Sequence, residues 1–250
     1  MDVWRQTYEY FLLFLKTAFT SKVQLFFVLG FPLVYMIAVN MHWFSEPPAE
    51  AAYTGLLAMF VTVQVFIVAM QTIMNLVASR EGGFFKMFTF IAGRPGPVVF
   101  GQILANYVFL IANTFVLAGT AGLLFGHLTL AIVLHAVTVA AITMIPATLA
   151  LSWILMLKLT QQSFAPLMSI SIFVVLFITF NQIVSGAFAV PFAVINPAYF
   201  TYQIAMNIPG VQAGIPEVSA GILAGIGVLY LAGGTAVLKW IRLSSPVMRT

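Results

Sequence analysis

Gln64, Gln71 and Asn75 stand seven and four residues apart, so on a helix their amides share one face. Asn106 and Asn113 repeat the seven-residue interval, and Phe173, Phe177 and Phe180 form a stripe with Asn181 beside it. Carboxamides donate and accept hydrogen bonds without carrying charge. An amide and aromatic wall of this kind suits an amphiphile, whereas the same amides can equally act as glue between helices, at about 0.6 kcal/mol per bond. Charge gathers elsewhere. Ser79-Arg80-Glu81-Gly82-Gly83-Phe84-Phe85-Lys86, continuing to Arg94-Pro95-Gly96-Pro97, is the most polar stretch of the chain.

Several chemistries are missing. There is no His-Glu-x-x-His metal motif and no Gly-x-Ser-x-Gly nucleophile elbow. His42, His127 and His135 are too dispersed to argue a metal cluster, and His135 stands alone on an apolar helix, where a packed or hydrogen-bonded histidine is the plain expectation. Cysteine is absent, which excludes disulfides and thiolate metal sites. Gly-Lys never occurs as a pair, so the chain has no Gly-x-x-x-x-Gly-Lys-Ser/Thr loop to cradle ATP phosphates. No catalytic, metal or cofactor residue is expected in this chain.

The elements that must position these residues follow from composition. Hydrophobic residues make up 62% of 250 and charged residues 6%, with a mean hydropathy of +1.07. Soluble domains carry about 25% charged residues. Such a surface is stable only in a bilayer, where helices satisfy their own backbone groups. The apolar runs do not alternate as barrel strands do, which makes the fold class all-α integral membrane, one transmembrane domain over residues 1–250. Asp2 and Glu9 interrupt the start, which does not resemble a cleavable signal.

Six spans are expected, at about 23–44, 53–78, 98–125, 128–157, 163–186 and 218–238, each long enough for a core of about 30 Å. Ahead of them, within 1–21, Trp4, Tyr8, Phe11, Leu15 and Phe19 recur at three and four, the pattern of an interfacial helix or of an extension of the first span. Between the last two spans, Pro191, Pro197, Pro209 and Pro216 break residues 187–216 into short re-entrant or surface-lying helices.

Six spans place both termini on one side. Arg5, Lys16, Lys22, Arg80, Lys86, Arg94, Lys158, Lys239, Arg242 and Arg249 all fall there, and Glu46, Glu50 and Glu217 fall opposite. By the positive-inside rule both termini are cytoplasmic. The basic residues form no nucleic-acid stripe. No Asp, Glu, Lys or Arg sits at mid-span, where an ion-coupled carrier would place one.

The arrangement resembles the ABC type-2 export permeases over nearly the whole chain. The local match is Ser79-Arg80-Glu81-Gly82-Gly83-Phe84-Phe85-Lys86-Met87-Phe88 followed by Arg94-Pro95. It is similar to that family's acidic-x-Gly, hydrophobic, then basic/proline stretch. The second match is Ser185-Gly186-Ala187-Phe188 with Pro191, then Asn196-Pro197-Ala198-Tyr199. The resemblance implies that 80–94 is a cytoplasmic coupling helix docking on a separate ATPase subunit, which would hold ATP and Mg. Within it, Glu81, Lys86 and Arg94 would orient the segment, and Phe84, Phe85 and Phe88 would pack it. Gly82-Gly83 is a loose helix start and places its beginning later. The same resemblance implies a dimer with a second permease copy or paralogue, and spans two and five bordering the path. Gln64, Gln71, Asn75, Phe173, Phe177, Phe180 and Asn181 are then its candidate lining.

Gly221-x-x-x-Gly225, Gly119 and Gly122 permit close helix contact, within a subunit or at a dimer seam. The expected function is the cell-membrane permease subunit of an ATP-driven exporter of a hydrophobic or amphiphilic drug, peptide or lipid. Alternatives are a lipid-linked polysaccharide exporter, a secondary carrier or channel, and an immunity or sensory module that binds a toxic peptide without moving it.

Overall fold

Long apolar runs bounded by glycine, proline and charge become helices throughout the computed structural model, which describes residues 3–93, 95–157, 160–180, 186–208 and 216–238 (backbone only at Ala165 and Phe180). Among these residues there is no strand. Six helical stretches are long and apolar enough to cross a membrane, and the protein is a multi-pass, all-α membrane protein. Arg94, Lys158, Asn181, Ser185, Lys239, Arg242 and Arg249 lie outside the described residues.

The chain opens with α1 (Val3–Thr20) and turns at Ser21, whose hydroxyl accepts from Gln24 N. The first span follows as α2 (Lys22–Leu25), a widened π turn (Phe26–Gly30) and α3 (Phe31–Val39). It ends at Asn40 rather than at residue 44, and Met41–Phe44 form a separate tight turn. Pro32 explains part of the irregularity. It has no N–H to offer the Val28 carbonyl one turn back, and Gln64 Nε2 donates to that carbonyl at 2.8 Å instead.

The second span, α4 (Glu50–Glu81), is the central helix and is buried on most sides. Its 32 residues rise about 48 Å at ~1.5 Å each, so it overshoots the bilayer core. Gly83, at φ +75°, turns the chain into α5 (Phe84–Ala92), and Gly93, at φ +74°, turns it out again. Only glycine adopts these backbone angles without strain, so the pair sets both ends of α5. Pro97 in the first turn starts α6 (Gly96–Leu124). After a turn through Gly126, the Thr129 hydroxyl caps α7 (Leu130–Leu151), which tightens over Ser152–Met156. Then come α8 (Gln161–Phe180), α9 (Ala189–Ile195), α10 (Pro197–Asn207) and α11 (Ala220–Leu238).

The expected helices between the last two spans are present as α9 and α10, broken at Asn196-Pro197. Asn196 Oδ1 accepts from the Ala198 and Tyr199 amides, and its Nδ2 donates to Thr179 Oγ1 on α8 at 3.1 Å. The pair is packed into the bundle. Tyr230, ten residues along α11 from Ala220 and so about 15 Å from that end, donates to the Ala193 carbonyl at 2.6 Å.

The N-terminal helix differs from an element laid flat across the spans. Tyr10 meets Gly101, and nine residues later the Phe19 ring meets Phe109, eight residues further along α6. The two helices therefore run side by side in the same direction. The reason lies in a second periodic face, Thr7, Tyr10, Phe14 and Ala18, which fits against Gly101, where an added Cβ would stand 2.8 Å from Tyr10 Cβ. Trp4 and Tyr8 of the aromatic stripe stay exposed. Close approach elsewhere also uses unexpected glycines. An added Cβ on Gly234 of α11 would run into the Leu149 backbone of α7, whereas Gly119, Gly221 and Gly225 have open space beside them. Gly122 alone of the expected set is tight, against Leu128.

Candidate functional site

Arg80 and Glu81 close α4, and the fold gives these neighbours opposite tasks. Arg80 is 4% exposed; its Nη1 donates to the Leu155 carbonyl at 2.8 Å and its Nη2 to Leu157 at 3.5 Å. These are carbonyls at the end of the fourth span, where backbone acceptors lack partners and the helix dipole favours a cation. Glu81 Oε2 accepts from the Gln161 backbone N–H at 2.8 Å, at the first turn of α8. There the unpaired amides and the dipole favour an anion. Thr160 and Ser163 complete that start by exchanging side-chain and backbone bonds. One dipeptide thus ties the root of α5 to the end of span four and the start of span five.

From this root α5 extends as a two-faced helix. Phe85, Thr89 and Ala92 are buried at intervals of four and three. Phe88 packs beside them against α1, with its ring 5.4 Å from Tyr10, and its carbonyl accepts from the Tyr10 hydroxyl at 3.1 Å. Phe84 is half out of the fold and stacks on Phe88. Gly82 caps α4, its N–H bonding to Ala78 O, and a Cβ there would stand 3.0 Å from the Phe84 ring. Lys86 is exposed. So are Met87, Phe90 and Ile91, with Phe90 88% exposed. These three complete an apolar outer face that sequence reasoning missed; Phe90 and Ile91 lie three and four residues beyond Met87, which is the signal that could have found them.

The candidate lining residues separate. Gln64 is fully enclosed: beside its bond to Val28, its Oε1 accepts from Thr114 Oγ1 at 3.0 Å, joining spans one, two and three. Gln71 and Asn75 bond each other at 3.1 Å and face a cavity of about 600 Å³ between α1, α2, α4, α5 and α6. Gln24, Gln102 and Asn106 line the same cavity. Phe173 and Phe177 point away from it, 76% and 63% exposed on α8. The Phe180 side chain and Asn181 are outside the described residues. Among the described residues, the amide face and Phe173 and Phe177 therefore do not form one wall within a single subunit.

Among the described residues, no group of three or more His, Asp or Glu could hold a metal ion. His127 Nε2 bonds the Pro48 carbonyl at 2.7 Å, and His135 is packed in α7 with no hydrogen-bond partner at either ring nitrogen. At the end opposite α5, Tyr199 donates to Glu217 Oε2 at 3.0 Å. Burial and then this carboxylate push the phenol up to about 12. Gln203 Oε1 accepts from the Glu217 and Val218 amides, and Asn207 Nδ2 donates to Val218 O, so α10 carries the start of the last span.

Comparison of the chain with family models, curated proteins and solved structures returns no match.

Proposed function

We propose that this chain is the membrane-spanning permease of an ATP-driven exporter of the ABC type-2 kind, working with a separate ATPase subunit and a second permease copy or paralogue. One observation carries the reading. A nine-residue helix with an uncovered apolar face grows from a root that grips spans four and five. A partner seated on Met87, Phe90 and Ile91 would push on α4 directly, on α6 through Gly93, on α1 through Phe88 and Tyr10, and on the α7 end and α8 through Arg80 and Glu81. Several spans would move together as rigid bodies.

The basic residues on this side favour cytoplasmic termini and a cell-membrane location. The deep bond from Tyr230 to Ala193 favours a re-entrant placement of α9 and α10 from the other side. ATP and Mg would be held by the partner, since this sequence has no phosphate loop. An amphiphilic drug, peptide or lipid is the cargo class that a lining without fixed charge supports.

The experiment is affinity purification of the tagged full chain from its native membrane in mild detergent, with mass spectrometry of stoichiometric partners. A P-loop ATPase is expected, and Phe90→Asp should release it while the permease still elutes as a folded particle. Absence of any ATPase, under conditions that preserve a control ABC complex, overturns the reading.

A further inference from the structure

The cavity beside α5 has a composition unlike the rest of the bundle. Five carboxamides (Gln24, Gln71, Asn75, Gln102 and Asn106) share about 600 Å³, and among the described residues no acidic, basic or histidine side chain lines it. Two of these amides are incompletely used. Asn106 is fully buried; its Nδ2 donates to Thr72 Oγ1 at 2.7 Å, yet its Oδ1 has no partner. Gln24 Nε2 is likewise buried and unpaired. A buried acceptor and a buried donor left unpaired in the wall of one cavity are costly, at about 1–3 kcal/mol each, unless the side chains turn to meet a group that enters. A charged group would have no counter-charge among the lining residues and would lose its hydration there.

Depth and rim complete the picture. Gln102 and Asn106 stand six and ten residues into α6 from Gly96, about 9 and 15 Å at ~1.5 Å per residue. Ser79, Phe84 and Phe88 lie at the same mouth as the charged root of α5, while Leu13 and Phe84, roughly half exposed, edge the opening with apolar surface. Distances of this size match the head-group and upper acyl region of a leaflet that begins at the root of α6.

We propose that the cavity binds the head group of an uncharged amphiphile, one that both donates and accepts hydrogen bonds, with its tail leaving past Leu13 and Phe84 into the adjoining leaflet. With its side chain turned toward the cavity, Asn106 Oδ1 takes a donor from the head group, and Gln24 Nε2 likewise gives to an acceptor. Phe84 and Phe88 form part of the same wall, so occupancy bears directly on the seat of α5. Binding requires only that the chain spans a bilayer; passage of the ligand onward rests on the export reading.

The test uses the full chain in nanodiscs of phosphatidylcholine containing a tenth of either monogalactosyl diacylglycerol or phosphatidylglycerol, with retained lipid counted by native mass spectrometry. One galactolipid should be retained in preference to the anionic lipid. Asn106→Leu and Gln24→Leu should each lower its occupancy about five- to tenfold, the loss of one hydrogen bond. Gln24 Nε2 has no partner in the fold to lose, so that variant keeps the test decisive if Asn106→Leu does not fold. Equal or preferential retention of the anionic lipid overturns the proposal. So does a cavity that retains neither lipid, which would then hold only water. No ATPase takes part, so failure here leaves the export reading standing, and absence of an ATPase partner leaves this one standing.

Discussion

At the end opposite α5, Phe125 is enclosed by the rings of Trp43, Phe44 and Tyr53, and Tyr53 stacks on His127 at 5.1 Å. At the α5 end the junction between spans four and five is held by Arg80 and Glu81 bonding to helix termini. Both arrangements join loops that are distant in sequence, but they resist motion differently. Aromatic rings are dislodged only by opening a cavity, whose cost rises steeply with volume. A carboxylate on an exposed amide can exchange for water at small cost, because the water replaces most of what is lost. The aromatic end therefore resists displacement more strongly than the Glu81 contact does; on the export reading proposed above, a push would be taken up at the polar end.

The sharpest way to break that contrast is to remove its anchor at each end. Phe125→Ala should destabilise the protein by about 3–5 kcal/mol, measured as unfolding in a defined detergent, with any partner still bound to α5. Arg80→Ala leaves the Leu155 carbonyl without its donor and should cost about 1–3 kcal/mol. Arg80→Lys should recover only part of this, because an ammonium cannot span two carbonyls as the guanidinium fork does. If the Arg80 variant proves the less stable of the two, the polar end is the rigid one and the assignment is reversed.

Glu81→Lys should have the smallest effect on stability, about 0.3–1 kcal/mol, because the charge sits unfavourably at the α8 start. Glu81→Gln, which keeps an acceptor, should be nearly neutral. Yet on the export reading, in vesicles reconstituted with the proposed ATPase, the lysine variant should hydrolyse ATP while losing transport. Unchanged transport would remove Glu81 from any coupling role.

Six membrane-crossing helices could be recognised from the sequence because hydropathy and length are properties of each segment alone. The importance of Arg80 and Glu81 could be seen too, since charge and glycine between two spans are conspicuous. What they bond was not visible, because the Leu155 carbonyl and the Gln161 amide lie far away in the chain. Gln64, Gln71 and Asn75 show the same limit. Their spacing gives a shared face, but Gln64 finds partners on two other helices while its neighbours open on a cavity. Helical periodicity also cannot tell a face against lipid from one against protein, which is why α1 follows α6 on the Thr7–Ala18 face. Close contact at Gly101 and Gly234, and not at Gly221 or Gly225, is set by where helices cross. No local signal marks that.

The bond from Gln64 to the Val28 carbonyl has a consequence for biogenesis. Before α4 joins this span in the bilayer, Pro32 leaves that carbonyl without its usual donor in a medium that offers no water. Gln64 arrives with α4, and Thr114, which satisfies the other half of the same amide, arrives with α6. The Val28 carbonyl is therefore satisfied only when α4 joins its span, and the Gln64 amide that satisfies it is itself completed only by α6, so the three helices reach their final hydrogen bonding together.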